Sequence, residues 1–154
     1  MKRSVQHATI VLERQLAAPP SRVFAAWADP EERKRWDVPD DGWVVHEQRQ
    51  EFRVGGRELS RFGPKEDPRY TSDGHYLDIV QDVRIVSAGT MHVGERRSSS
   101  TLCTVELIAE GRGTRLILTD QSVFYDGLET ESERQDGWGT IVKRLESYLG
   151  ARPQ

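Results

Sequence analysis

The chain has 154 residues, with 22 lysines and arginines against 25 aspartates and glutamates, a formal charge of −3. That length suits one domain with a sizeable core, and the slightly acidic balance lacks the basic footprint of a nucleic-acid binder, so no nucleic acid is expected as partner. No run reaches the ~18 apolar residues of a membrane span, and the single cysteine, Cys103, leaves no internal disulfide. The start, Met1-Lys2-Arg3-Ser4-Val5-Gln6-His7, carries no continuous apolar stretch of signal-peptide type, so the expected location is cytoplasmic.

In chain order, Ala8, Ile10, Leu12 and Leu16 share one face at period two, which predicts a half-buried strand. Ala17-Ala18-Pro19-Pro20 stops it, and Val23, Phe24 and Trp27 at helical spacing predict a short helix. A second short helix begins at Asp29-Pro30, with Asp29 as N-cap and Pro30 in the first position. Its Arg33, Lys34 and Arg35 read as a solvated face, and Trp36 stands at its end. Six strands follow, over 43–50, 51–62, 75–80, 84–93, 99–110 and 114–124, joined by turn signals. Glu110-Gly111-Arg112-Gly113 is the clearest hairpin, and residues 63–68 are the most loop-like stretch.

The last segment is the most periodic. Trp138, Ile141, Val142, Leu145, Tyr148 and Leu149 form one apolar stripe of an amphipathic helix about 18 residues long. Thr130 and Glu133 fit a capping box at its start, and Gly150 and Pro153 are its stop signals. The predicted class is α+β: one strand, two short helices, a six-stranded antiparallel meander and a long C-terminal helix across a curved sheet. One helix about 27 Å long closes only a stripe of seven strands. Space is therefore expected between sheet and helix, and such concave spaces are the usual ligand sites of small proteins.

This order of elements resembles the START-like superfamily, also called SRPBCC, with its helix-grip or Bet v 1-like fold. The local wording is similar to a bacterial branch related to the activator of heat-shock protein 90 ATPase. The resemblance is carried by Ala18-Pro19-Pro20-Ser21-Arg22-Val23-Phe24-Ala25-Ala26-Trp27, by Glu51-Phe52-Arg53-Val54-Gly55-Gly56-Arg57-Glu58, and by Asp78-Ile79-Val80. Thr104-Val105-Glu106-Leu107 and the stretch 137–145 extend it, so that it covers residues 6 to 150 of a single domain spanning 1–154. It implies a cavity that takes lipids, hormones, flavonoids or polyketides, and three functions. The first is binding of a hydrophobic or aromatic small molecule. The others are cyclisation of a polyketide and co-chaperone-like protein binding.

The residues favour a binding protein over an enzyme. The cavity is expected to be lined by Trp36, Trp43, Glu58, Phe62, His75, Tyr76, His92, Phe124 and Trp138. Trp36 is assigned to its mouth and Trp138 to the start of the closing helix. Glu58 falls on the face of Phe52, Val54, Ser60 and Phe62, where desolvation would suit an acid to proton transfer; the alternative is a structural pair with Arg49 or Arg84. For a cyclase, Glu58, His75 and Tyr76 are the candidate proton carriers. His7, His46, His75 and His92 are scattered without H-x-x-x-H or H-E-x-x-H spacing, so neither a metal nor another cofactor is expected. Cys103 shares a face with Val105 and Leu107 and reads as a buried thiol rather than a nucleophile. An open strand edge leaves room for a homodimer.

Overall fold

A computed structural model describes residues 2–150. The chain runs β1 (Val5–Leu16), α1 (Pro20–Ala28), α2 (Pro30–Trp36), β2 (Trp43–Gln50), β3 (Arg57–Pro64), β4 (Tyr70–Val80), β5 (Arg84–Val93), β6 (Arg96–Glu110), β7 (Gly113–Tyr125) and α3 (Glu131–Gly150). The strands form one antiparallel sheet in the order β1-β7-β6-β5-β4-β3-β2. This is the expected α+β helix-grip arrangement. No helix among the described residues is long and apolar enough to cross a membrane.

Local chemistry explains most boundaries. Asp29 caps α2 by accepting the Glu31 backbone N–H at 2.9 Å, and Pro30 sits where no N–H is needed. Gly111 takes φ +62° in the two-residue turn between β6 and β7, where Glu110 pairs with Gly113. The capping box at α3 is complete: the Glu133 carboxylate accepts the Thr130 N–H at 3.0 Å, and the Thr130 hydroxyl accepts the Glu133 N–H at 3.1 Å. Gly150 is the last helical residue, and Pro153 lies outside the described residues.

Two strand starts differ from expectation by five residues or more, and β6 begins three residues early, at Arg96 rather than Ser99. The third strand begins at Arg57 rather than Glu51, because 51–56 forms a tight turn with Gly55 at φ +83°. Any side chain at Gly56 would run into the Glu51 carbonyl. The fourth begins at Tyr70, five residues before His75. The polar run Thr71-Ser72-Asp73-Gly74 shows no apolar alternation, yet it pairs with β3 on one side and β5 on the other. Long-range pairing overrides local propensity there.

The inner face of β1 and β7 supplies Leu16, Leu116 and Leu118, which pack with Val23 and Trp27 of α1 and with Val142, Leu145 and Leu149 of α3. Trp36 belongs to this core. It is fully buried, lies edge-on to Trp27 at 4.6 Å and donates its indole N–H to the Ala26 carbonyl at 3.2 Å. The helix therefore rests on β1 and α2, toward one end of the sheet.

Toward the other end of the sheet, Gly74 of β4 faces Gly89 of β5. A methyl group on either would press into the partner strand's backbone at Ala88 or Asp73. Paired strand glycines of this kind mark a close backbone approach at a bend. Gly74→Ala is expected to cost about 1–3 kcal/mol, as overpacking against backbone does. Urea unfolding measures it, and an unchanged midpoint would show that the bend tolerates a side chain.

Candidate functional site

Because α3 sits over β1 and α2, the concave face of β2 to β5 keeps a cavity of about 720 Å³. Alternation along β3 and β4 turns Glu58, Ser60 and Phe62, then Tyr70, Ser72, Gly74 and Tyr76, toward this space. From α3, Trp138 and Ile141 close it.

One wall is aromatic. Trp43 stacks on Tyr70 with ring centroids 4.9 Å apart, and Tyr70 stacks on Phe62 at 5.7 Å. These three rings come from the starts of β2 and β4 and the end of β3, which the antiparallel register brings to one corner. Offset stacks of this sort add roughly 0.5–1.5 kcal/mol per pair beyond burial, which makes the wall stiff.

A second wall is polar and centres on Arg33. Its Nη1 forms an ion pair with Glu58 and donates to the Tyr76 hydroxyl at 3.0 Å; its Nε donates to Asp37 at 2.8 Å. Gln50 accepts from Arg33 and itself donates to the Trp27 and Ala28 carbonyls. Burial opposes the charge on Arg33, but Glu58 and Asp37 outweigh it and keep the guanidinium charged. Burial lifts the Asp37 carboxyl above its ordinary range, with Arg33 offsetting part of the rise. Burial likewise pushes the Tyr76 phenol well up, so it remains a neutral donor, 3.3 Å from the Glu58 carboxylate.

A third group ties α3 to the sheet. The fully buried Asp120 accepts the Trp138 indole N–H at 2.6 Å and Arg134 Nη1 at 3.0 Å. Arg134 also donates to Glu129 at 2.6 and 2.8 Å, to Ser99 at 2.7 Å and to Thr101 at 2.8 Å, and it lies over the Phe124 ring at 5.3 Å. Burial works against this guanidinium too, and Glu129 and Asp120 outweigh it.

Of the residues the sequence pointed to, Trp43, Glu58, Phe62, Tyr76 and Trp138 line the cavity together. Trp36, His75, His92 and Phe124 do not. Trp36 is spent in the core beneath α1, and Phe124 is buried under Arg134. His75 is exposed because it neighbours the inward Tyr76, and strand side chains alternate. His92 sits where the β5–β6 register slips and points away from the space that Met91 and Val93 line. Glu58 has a structural partner, as the alternative reading held, but it is Arg33; Arg84 pairs with Asp78 instead. Arg33 is also no surface residue, with a side chain only 13% exposed. Its position three before Trp36 puts both on the inner side of α2, a helical spacing that could have revealed it. Nothing local signals Asp120 or Arg134. Cys103 forms part of the cavity wall, and burial, with Asp120 adding, raises its thiol far above its ordinary range. Among the described residues no cluster of three or more His, Cys, Asp or Glu is arranged to hold a metal.

The pattern of the Activator of Hsp90 ATPase homolog 1-like proteins matches residues 17–150. The chain belongs to this family. It is similar to a solved protein from Rhizobium leguminosarum, with 37% identity over 99% of this chain and 100% of that one, at a TM-score of 0.89. A Rhizobium loti protein is 40% identical over 95% and 99% of the two chains, with a TM-score of 0.86. CalU16 from Micromonospora echinospora shares the fold at 19% identity, covering 97% and 86%, with a TM-score of 0.65. No curated protein matches the chain in sequence.

Removing one partner of a buried ion pair leaves an uncompensated charge. Arg33→Met is therefore expected to cost about 3–5 kcal/mol in urea unfolding, and adding Glu58→Gln to recover part of it. A double variant no more stable than Arg33→Met would show that the two are not energetically coupled. Cys103, for its part, is expected to resist Ellman's reagent at mildly alkaline pH in the native protein and to react fully in guanidinium chloride. Cys103 is half-buried rather than buried as expected, and fast native reaction would contradict its being held protonated in the cavity wall.

Proposed function

We propose that this protein binds a hydrophobic small molecule carrying an aromatic ring in the cavity between the sheet and α3, and that it holds the molecule without converting it. The observation that carries this reading is the coexistence of a 720 Å³ unfilled space with a stiff aromatic wall of Trp43, Tyr70 and Phe62. That volume falls within the range of about 300–1,000 Å³ typical of small-molecule sites. Burying about 250 Å² of apolar ligand surface supplies roughly 6 kcal/mol at about 25 cal/mol per Å². The cost of association reduces that gain, so preorganised walls matter. Ser60, which faces the space, is a polar group suited to orienting a bound molecule, while the Tyr76 hydroxyl is engaged by Arg33 and Glu58.

The state of the acids favours holding over turnover. A cyclase needs an acid and a base positioned on one reactive atom. Here Glu58 is engaged by Arg33 and Tyr76, and the Tyr76 phenol is held neutral. His75, the third candidate, faces away from the cavity. What remains is a neutral phenol whose one hydrogen is given to Glu58 within a compensated ion pair, an arrangement that suits a fixed wall for recognition.

Naphthylmethanol, a neutral probe of suitable size, is expected to quench tryptophan fluorescence saturably. Trp43→Ala should weaken its binding about tenfold, equivalent to ~1.4 kcal/mol, while Leu77→Ser on the exposed outer face of β4 should leave it unchanged. Absence of saturable binding, or equal affinity for Trp43→Ala and wild type, would overturn the reading.

A further inference from the structure

The charges around the cavity are unbalanced. Among the described residues, eight acidic side chains line it against four basic ones. Salt bridges do not hide this surplus. Arg33 stands between Glu58 and Asp37, and Arg134 between Asp120 and Glu129, so each buried guanidinium is shared by two acids. Neither arginine presents the free fork by which a protein clamps a carboxylate or phosphate. Arg49 also lines the space, but it is exposed; to reach either buried guanidinium an anion would have to displace a resident acid. The elevated Asp37 carboxyl is a symptom of the same crowding: burial and the neighbouring Glu58 both resist its ionisation.

The entrance carries the same sign. Asp40 and Asp41 stand on the loop between α2 and β2, and Asp136 lines the cavity from α3. The two elements approach closely at Pro39 and Gly137, so these acids belong to one rim. Asp41 is paired with Arg144, and the rim base Lys34 with Glu31. Low-dielectric walls focus such a field into the opening. Inside, the aromatic faces of Trp43, Phe62 and Tyr70 add the second component of cation recognition, since an ammonium over an indole or phenol ring is attracted by the ring quadrupole.

We infer that the cavity selects a lipophilic cation, an aromatic or hydrophobic amine carried in its protonated form, over neutral and acidic molecules of the same shape. The inference rests on the small-molecule reading above and specifies its ligand class. The acid surplus makes the preference electrostatic, so it weakens as salt screens the rim, where charges lie within a Debye length of water.

Three matched probes test it: naphthylmethylamine, naphthylmethanol and naphthoate, titrated calorimetrically at low and high ionic strength. The amine is expected to bind at least about tenfold more tightly than naphthoate at low salt, as complementary potentials discriminate against like charge. High salt should shrink that ratio. In an Asp40→Asn/Asp136→Asn variant with unchanged melting temperature, amine affinity should fall several-fold more than naphthylmethanol affinity. Naphthoate binding as tightly as the amine, with naphthylmethanol still bound, would overturn the cation inference alone. Equal losses of amine and alcohol in the double variant would overturn it too. If none of the three binds saturably, the small-molecule reading itself falls.

Discussion

One helix has to cover the inner face of a curved seven-stranded sheet. At 20 residues and 1.5 Å per residue, α3 is about 30 Å long. Its apolar stripe is committed to one end, where Val142, Leu145 and Leu149 are buried with the residues of β1, β7 and α1. At its other end it is tied by polar groups: Trp138 and Arg134 converge on Asp120, a buried acid of β7. A helix pinned in this way cannot settle into the concavity of β2 to β5, where the close Gly74–Gly89 approach leaves no side chain to fill the space. The cavity follows from these restraints.

The polar restraints are costly ways to hold a structure. Burying a guanidinium carries a desolvation penalty of several kcal/mol that its partners only offset, and a well-packed apolar replacement is often as stable. Arg33 and Arg134 each meet that penalty with two acids and additional hydrogen bonds. What such networks supply in return is definition. Each requires several elements to sit in one arrangement: α2 with β3 and β4 for Arg33, and α3 with β6 and β7 for Arg134. They also leave a wall that is polar and acidic on balance beside a wall that is aromatic, and that asymmetry gives the cavity its chemical character.

Elements whose determinants are local were legible in the chain. The capping box of Thr130 and Glu133, the Gly111 turn and the stripe from Trp138 to Leu149 each depend on residues a few positions apart. So did the facing of Glu58 and Phe62, because parity within β3 is intact from Arg57 onward. The misplacements occur where parity or helix face is set at long range. His75 and Tyr76 are adjacent and cannot both face inward. His92 lies at a register slip that only the pairing of β5 with β6 defines. Trp36 and Arg33 share the inner side of α2, but the tryptophan reaches into the core and the arginine into the cavity, a division set by α1 and β3 rather than by α2 itself. The lean apolar composition, 36% by count, also has a structural correlate: a domain with 720 Å³ of open space needs fewer side chains to fill its middle.

The proposed ligand occupies the space between the sheet and α3, against the wall of Trp43, Tyr70 and Phe62. An NMR titration with naphthylmethanol, following backbone amide and tryptophan indole resonances, tests it most directly. Binding in this space is expected to give saturable shifts in the indole signals of Trp43 and Trp138 and in the amides of Phe62 and Tyr70, with Leu77 and Leu102 on the outer face unmoved. Shifts confined to Leu77, Leu102 and their neighbours, or none that saturate, would contradict it.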